Sequence, residues 1–215
     1  MKRLGIFGFA AAVLFLNGCD LVGIRGNGHI VTDHRQIGEF TELVASGGMK
    51  VEWRSGPPSL TITTDENLLG YVEESNFDST LKLRQHDHLR PTHGIKLVVS
   101  SKTLKGADLR GAVDLIAHNL AGPKFYVRGK GASDIMLDGA VDELLADMTG
   151  AGDLRAKSLQ AKTAEISATG AADAVVNVSD VLRVSITGAG DVVYYGNPKT
   201  VEKHVTGAGS VSHKE

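Results

Sequence analysis

"TGAGD" occupies residues 149–153, returns as "TGAAD" at 169–173 and "TGAGD" at 187–191, and closes as "TGAGS" at 206–210. Aligned on the glycine after the threonine, Gly150, Gly170, Gly188 and Gly207 stand 20, 18 and 19 residues apart. Weaker copies, "RGAVD" at 110–114 and "RGKGASD" at 128–134, carry the series upstream, so six turns of similar length run from about Leu104 to Glu215. A fixed period in this range is the signature of a stacked repeat.

Around each turn the chain alternates. Phe125 and Val127, Ala146 and Met148, Ile166 and Ala168, and Val184 and Ile186 precede the glycines, with mostly polar residues between them. Ile135 and Leu137, Leu154 and Ala156, and Ala174 and Val176 follow at the same spacing. Period two on both sides of a bend predicts short strands, and Val, Ile and Thr favour them. No repeat carries apolar residues at helical spacing. The expected fold is all-β, a parallel β-helix of about 18–20 residues per coil, stacked at about 4.8 Å. Columns of inward Val, Ile, Leu and Ala would let a chain with only 5% aromatic residues bury a continuous core.

The pentapeptide is then a corner made once per coil. Gly150, Gly152, Gly170, Gly188, Gly190, Gly207 and Gly209 are expected to take the positive φ of a tight bend, with Thr and Asp capping its backbone. Asp114, Asp134, Asp153, Asp173 and Asp191 would stack in a column. Carboxylates about 4.8 Å apart repel by roughly 1 kcal/mol in water, so the column needs solvent, backbone donors or a cation. Turn capping is the reading adopted, with neither a metal nor another cofactor; a cation in the column is the alternative. "TGAAD" lacks one glycine and "TGAGS" lacks the carboxylate, yet both keep the spacing. Neither a phosphate-binding glycine loop nor a zinc-protease or nucleophile motif occurs, so the chain is read as a non-enzyme.

Residues 1–18 read as a lipoprotein signal peptide. Lys2 and Arg3 precede an apolar run, Leu4 to Leu16, too short for a comfortable membrane span. The run ends in "LNGC", which resembles a bacterial lipobox, and Cys19, the sole cysteine, is the expected lipidation site. Cleavage removes Lys2 and Arg3 from 23 basic residues, leaving 21 against 25 acidic ones, a formal charge of −4. That balance argues against nucleic acid as a partner. The expected location is the bacterial cell envelope, membrane-anchored through Cys19.

Residues 19–28 read as a tether and 29–103 as an irregular β region that continues and caps the regular repeats of 104–215. "ASGGMKVEW" resembles a degenerate corner. A short helix is expected at "DENLLGYVEES", with Asp65 as N-cap and Leu68, Leu69 and Val72 on one side. "HDHLRPTH" gathers His86, His88 and His93. In the strand phase of Leu81 and Leu83, His86 and His88 would face outward beside Lys82 and Arg84. Two cations there disfavour a metal, so a solvated loop is expected.

The ordered set "FTELVASGGMKVEW", "LTITTDENLL", "STLKLRQ", "SITGAGDVVYYGNP" and "VTGAGSV" resembles the bacterial envelope family called putative auto-transporter adhesin, head GIN domain, over roughly Phe40 to Val211. The resemblance implies an exported β-solenoid, often lipid-anchored, with no catalytic residues to carry over. The expected role is binding, adhesion or envelope scaffolding toward a protein or glycan partner. A carbohydrate-binding or carbohydrate-active β-helix is the alternative, with Trp53, Tyr194 and Tyr195 as the aromatics able to stack on a sugar.

Overall fold

Alternation of small apolar and polar residues writes strands through nearly the whole chain, and the computed structural model, which describes residues 23–215, places them in order. They are β1 (Ile24–Arg25), β2 (Ile30–Arg35), β3 (Glu42–Ser55), β4 (Ser59–Asp65), β5 (Val72–Phe77), β6 (Thr80–Gln85), β7 (Leu89–Arg90), β8 (Lys96–Ser101), β9 (Gly106–Gly131), β10 (Ile135–Gly150), β11 (Asp153–Gly170), β12 (Asp173–Gly188), β13 (Asp191–Tyr195), β14 (Thr200–Gly207) and β15 (Ser210–His213). One 3-10 helix, Glu66–Tyr71, interrupts them. The all-β expectation holds, in the form of a large mixed sheet that does not close on itself, ordered β15-β13-β12-β11-β10-β9-β3-β8-β4-β2.

From β9 onward every pairing is parallel and in register with the sequence repeat. Gly131 pairs with Gly150, Gly150 with Gly170, Gly170 with Gly188, and Gly188 with Gly207. The series reaches back past the regular repeats, because Gly47 of β3 pairs with Gly111 of β9. "ASGGMKVEW" is therefore the first member of the glycine column, and residues 56–105 are inserted between it and the second.

Register turns the alternation into columns. Ala146, Ile166 and Val184 lie on one another, as do Met148, Ala168 and Ile186, and on the far side of the bend Ile135, Leu154, Ala174 and Val192. All are buried. Large and small residues mix along the columns, as where Met148 lies on Ala168 and Leu154 on Ala174. Trp53, the one tryptophan, is 2% exposed, pairs with Ala117, and donates its Nε1–H to Ser101 Oγ at 3.0 Å.

The N-terminal half departs from the expected capping coils. β6 and β8 lie parallel to β3, on its first and second halves. Beyond them the sheet turns antiparallel: β5 on β6, β4 on β8, and β2 on β4. The β5–β6 pair is a hairpin, whose two-residue turn at Asp78 and Ser79 can only reverse the chain. Gln85 closes the glycine column here, its Oε1 accepting from the Gly48 N–H at 2.9 Å.

Three local expectations are corrected. The stretch read as a tether contains β1, paired in parallel with β7, and so is ordered from Gly23 on. Asp65 precedes the 3-10 helix but its side chain does not cap it. Its carboxylate is fully buried and accepts from Gly28 N at 2.8 Å, Thr92 N at 2.8 Å and Thr92 Oγ1 at 2.7 Å, tying two loops together. Lastly, the strand phase of Leu81 and Leu83 does not reach His88, because β6 ends at Gln85 and Asp87 has φ 60.

Candidate functional site

Outward residues of the repeats form rows as regular as the inward columns. Lys50, Asp114, Asp134, Asp153, Asp173, Asp191 and Ser210 follow the bend. Two residues on, Ile116, Met136, Arg155, Val175, Val193 and Ser212 make a second row in which Met136 is exposed and Ile116, Val175 and Val193 are half-buried. An acidic row beside one that is apolar except at Arg155 and Ser212, presented on successive strands, is the most extended candidate surface of the molecule.

The aspartates do not cap their own turns. Asp173 Oδ1 accepts from Asp191 N at 2.8 Å, and Asp191 Oδ1 accepts from Ser210 N at 2.9 Å and Ser210 Oγ at 2.8 Å. Asp114 Oδ1 accepts from Asp134 N at 3.4 Å. Asp114, Asp173 and Asp191 thus each hold the backbone of the next repeat, and Arg155 supplies positive charge between Asp153 at 2.9 Å and Asp134 at 3.9 Å. These donors disperse the repulsion that stacked carboxylates would suffer.

The two corner glycines have different reasons to be glycine. Gly150, Gly170, Gly188 and Gly207 have φ of 125, 110, 131 and 124, and a Cβ on each would overlap the carbonyl oxygen of the glycine before it in the column. Gly152, Gly190 and Gly209 are absent from the positive-φ residues, contrary to expectation. They face inward at the position held by Val113, Ser133 and Ala172 in other repeats, and a Cβ on Gly190 would overlap the Ala172 carbonyl oxygen. Close approach, not bend conformation, selects them.

On the strand side before the bend, a shallow groove of ≈ 520 Å³ is lined by Lys124, Tyr126, Arg128, Asp147, Glu165 and Ser167 among others. At its edge Arg110 grips Asp108 through Nε and Nη2, both at 3.0 Å, and Arg128 approaches the same carboxylate at 3.4 Å. The Arg110 hydrogen bond, helped by the charges of Arg110 and Arg128, holds Asp108 below the ordinary carboxylate range despite its burial. Burial first, and then the hydrogen bond to Glu42, pushes the Tyr126 hydroxyl up to about 12. The ring of Tyr126 lies where a Cβ on Gly106 would stand. Sequence reasoning missed this cluster because Glu42, Asp108 and Tyr126 belong to repeats in which no motif joins them.

His86 Nε2 approaches Glu73 Oε2 at 2.6 Å, although not aligned as a hydrogen bond, while His88 and His93 are exposed. Among the described residues no group of three His, Cys, Asp or Glu is arranged to hold a metal. His118, which no motif marked, sits between Asp138 at 2.7 Å and Glu52 at 3.6 Å. Of the aromatics proposed for sugar stacking, Trp53 is buried in the core. Tyr194 stacks on His213 at 4.8 Å between ring centroids, and Tyr195 lies under Lys157 at 4.0 Å. Cys19 lies outside the described residues. Among those residues no helix is long and apolar enough to cross a membrane.

Solved structures share this architecture. A putative adhesin from Bacteroides fragilis matches with TM-score 0.74 at 20% identity, covering 89% of this chain and 100% of that one. A putative lipid binding protein from Parabacteroides distasonis matches at TM-score 0.53 and 23% identity, covering 89% and 99%. A putative adhesin from Parabacteroides merdae matches at TM-score 0.53 and 21% identity, covering 90% and 100%. At these identities the likeness shows the fold. No curated protein is significantly similar in sequence. A family model matches residues 39–198, and its range contains all but the last copy of the glycine corner. The chain belongs to the family described as putative auto-transporter adhesin, head GIN domain.

Proposed function

We propose that the protein is a non-enzymatic, lipid-anchored envelope protein whose repeats form a β-solenoid that presents the acidic and apolar rows to a protein or glycan partner. The observation that carries this reading is the register. Residues 17–20 apart pair in parallel through four successive strand pairings, so outward side chains fall into straight rows instead of converging on a pocket. A flat, rigid face of this kind suits adhesion, the role in the family's name and in two of the neighbours' names. The lipobox-like "LNGC" supports the anchor and the envelope location. The carbohydrate-active alternative is not favoured: the ladder carboxylates are committed to backbone donors and Arg155, and Trp53 is inside the core.

The test uses the row itself. Met136→Glu combined with Val175→Glu should abolish retention of an envelope protein or glycan by the immobilised protein, with an unchanged far-ultraviolet spectrum. Equal retention by both forms defeats the assignment of the face, and release of reducing ends from envelope polysaccharide defeats the non-enzymatic reading. For the anchor, Cys19→Ser should release the protein from membranes or leave the precursor uncut. Processed Cys19→Ser protein that still fractionates with membranes removes it.

A further inference from the structure

We propose that the open edge at β14 binds an extended segment of another protein, one that sets a carboxylate over Lys203 between two apolar residues. This edge is a different surface from the acidic and apolar rows, and its binding does not depend on theirs. The first argument is the inward column. Val127, Ala146, Ile166 and Val184 lie on one another and all are buried, and the next residue in that column is Lys203. On either side the columns stay apolar, with Val201 on Leu182 and Val205 on Ile186. Leu182 and Ile186 are fully buried, whereas Val201 and Val205 are 38% and 37% exposed. Among the described residues β14 pairs with β12 alone and β15 with β13 alone, so no strand lies over these three side chains. The backbone is open at the same place. Alanine N–H groups donate down the glycine column, from Ala132 N on Gly111 O to Ala208 N on Gly188 O, and Gly207 has no further coil above it. Such an edge is a template for an added strand.

Lys203 decides which strand fits. A segment stacked at about 4.8 Å sets one residue over each of Val201, Lys203 and Val205. An apolar residue over Lys203 would take the ammonium out of water unpaired, and a basic one would repel it. A glutamate or aspartate supplies the missing acceptor, and the pair fixes the register, because a slip carries the carboxylate away from the ammonium. The protein does not supply that acceptor itself: among the described residues Lys203 has no ion-pair partner, and the adjacent Glu202 is taken by Arg183 at 3.1 Å. The segment that fits therefore reads apolar, any, acidic, any, apolar, a pattern that is the same in either chain direction. A second copy does not provide it. Two β14 strands paired antiparallel about Lys203 would oppose lysine to lysine. The opposite edge of the sheet, β2, offers Val31 and Asp33 but Arg35 where the second apolar residue should be, and Asp33 already accepts from Arg35 Nε at 2.8 Å.

The purified full chain is titrated into short fluorescent peptides that share the strand Val–Thr–Xaa–Thr–Val and differ only in Xaa, which is Glu, Lys or Val. Anisotropy should show the Glu peptide bound about tenfold more tightly than the other two. Lys203→Glu should reverse the order and favour the Lys peptide. With the Glu peptide bound to the parent, hydrogen exchange should slow at the amides of Thr200–Gly207. Met136→Glu with Val175→Glu alters the rows and should bind the Glu peptide as the parent does, so a failure of the rows and a failure of the edge are read separately. Equal affinity for the three peptides, no binding of the Glu peptide, an order unchanged in Lys203→Glu, or slowed exchange confined to the row residues overturns the proposal. Sedimentation of the parent without peptide should be independent of concentration, and growth in size with concentration would put a second copy on the edge and overturn it as well.

Discussion

Gly188 stands on the carbonyl of Gly170, with φ 131, and Ala189 N reaches past it to donate to that same Gly170 carbonyl at 2.8 Å. The hydrogen bond repeats down the column, from Ala132 N to Gly111 O at 2.9 Å through Ala208 N to Gly188 O at 2.8 Å. A side chain at Gly188 would meet both a forbidden conformation and a backbone oxygen. Gly188→Ala should therefore destabilise by on the order of 2–4 kcal/mol. Gly190→Ala should cost less, since its φ is not positive and Ala172 fills the equivalent inward position one repeat earlier. Thermal melts of the two variants check the order. Equal costs would mean that the two glycines do the same job.

That contrast marks how far the sequence could be read. Spacing and alternation gave the strand content, the inward columns and the repeat register, because register follows the period of the sequence. Conformation within the pentapeptide was not legible, since a glycine chosen for φ and one chosen for close approach look alike as letters. Nor was the antiparallel end: β2 and β4 alternate no differently from the parallel strands. The Asp108 and Tyr126 cluster escaped notice because its members meet only once residues about 20 apart are stacked.

Asp173 offers a test of how the acidic row is held. Its Oδ1 accepts from Asp191 N, and an asparagine keeps that acceptor while an alanine does not. Asp173→Asn should leave the melting temperature nearly unchanged, and Asp173→Ala should cost about 0.5–1 kcal/mol. Chelator or millimolar calcium should shift neither. A calcium-dependent rise that grows with the logarithm of concentration would put a cation in the row.

Acid should weaken the fold through Asp108 and Asp65. The Arg110 hydrogen bond lowers the first, and the Thr92 hydroxyl, with the Thr92 and Gly28 N–H groups, lowers the second. A carboxyl whose folded pKa lies below its unfolded value adds stability that is complete above about pH 4 and disappears as pH falls through the folded value. The melting temperature should accordingly drop below about pH 4. Asp108→Asn should melt lower at neutral pH and show a shallower acid decline. An Asp108→Asn curve parallel to wild type would contradict the assignment.

Alkali should act through Tyr126. Its hydroxyl is raised to about 12, so the folded state favours the neutral phenol. This contribution is whole below about pH 10, where unfolded tyrosine is also neutral, and is lost as pH climbs from there to about 12. Tyr126→Phe should flatten the decline of stability in that window and remove one late-titrating phenol from the absorbance at 295 nm. A wild-type titration without a late phenol would remove the cluster from consideration.

The last repeat ends the stack with a charge. Lys203 pairs with Val184 and so stands in the inward column that runs through Ala146, Ile166 and Val184, while Val201 and Val205 on either side are 38% and 37% exposed. β14 is exposed along its whole length and β15 nearly so, which leaves a parallel edge open to another chain. An inward-pointing lysine on an edge strand opposes such pairing, because stacking a further strand would strip its ammonium of water without a partner. Lys203→Val would make the inward side of β14 apolar without a break from Val201 to Val205. The variant should sediment as concentration-dependent oligomers under conditions in which the parent stays at its own smaller size, with the far-ultraviolet spectrum unchanged. Lys203→Arg keeps the charge and should behave like the parent. If Lys203→Val sediments like the parent at every concentration, the edge is protected by something other than the lysine, and the exposed valines do not suffice to recruit a second strand.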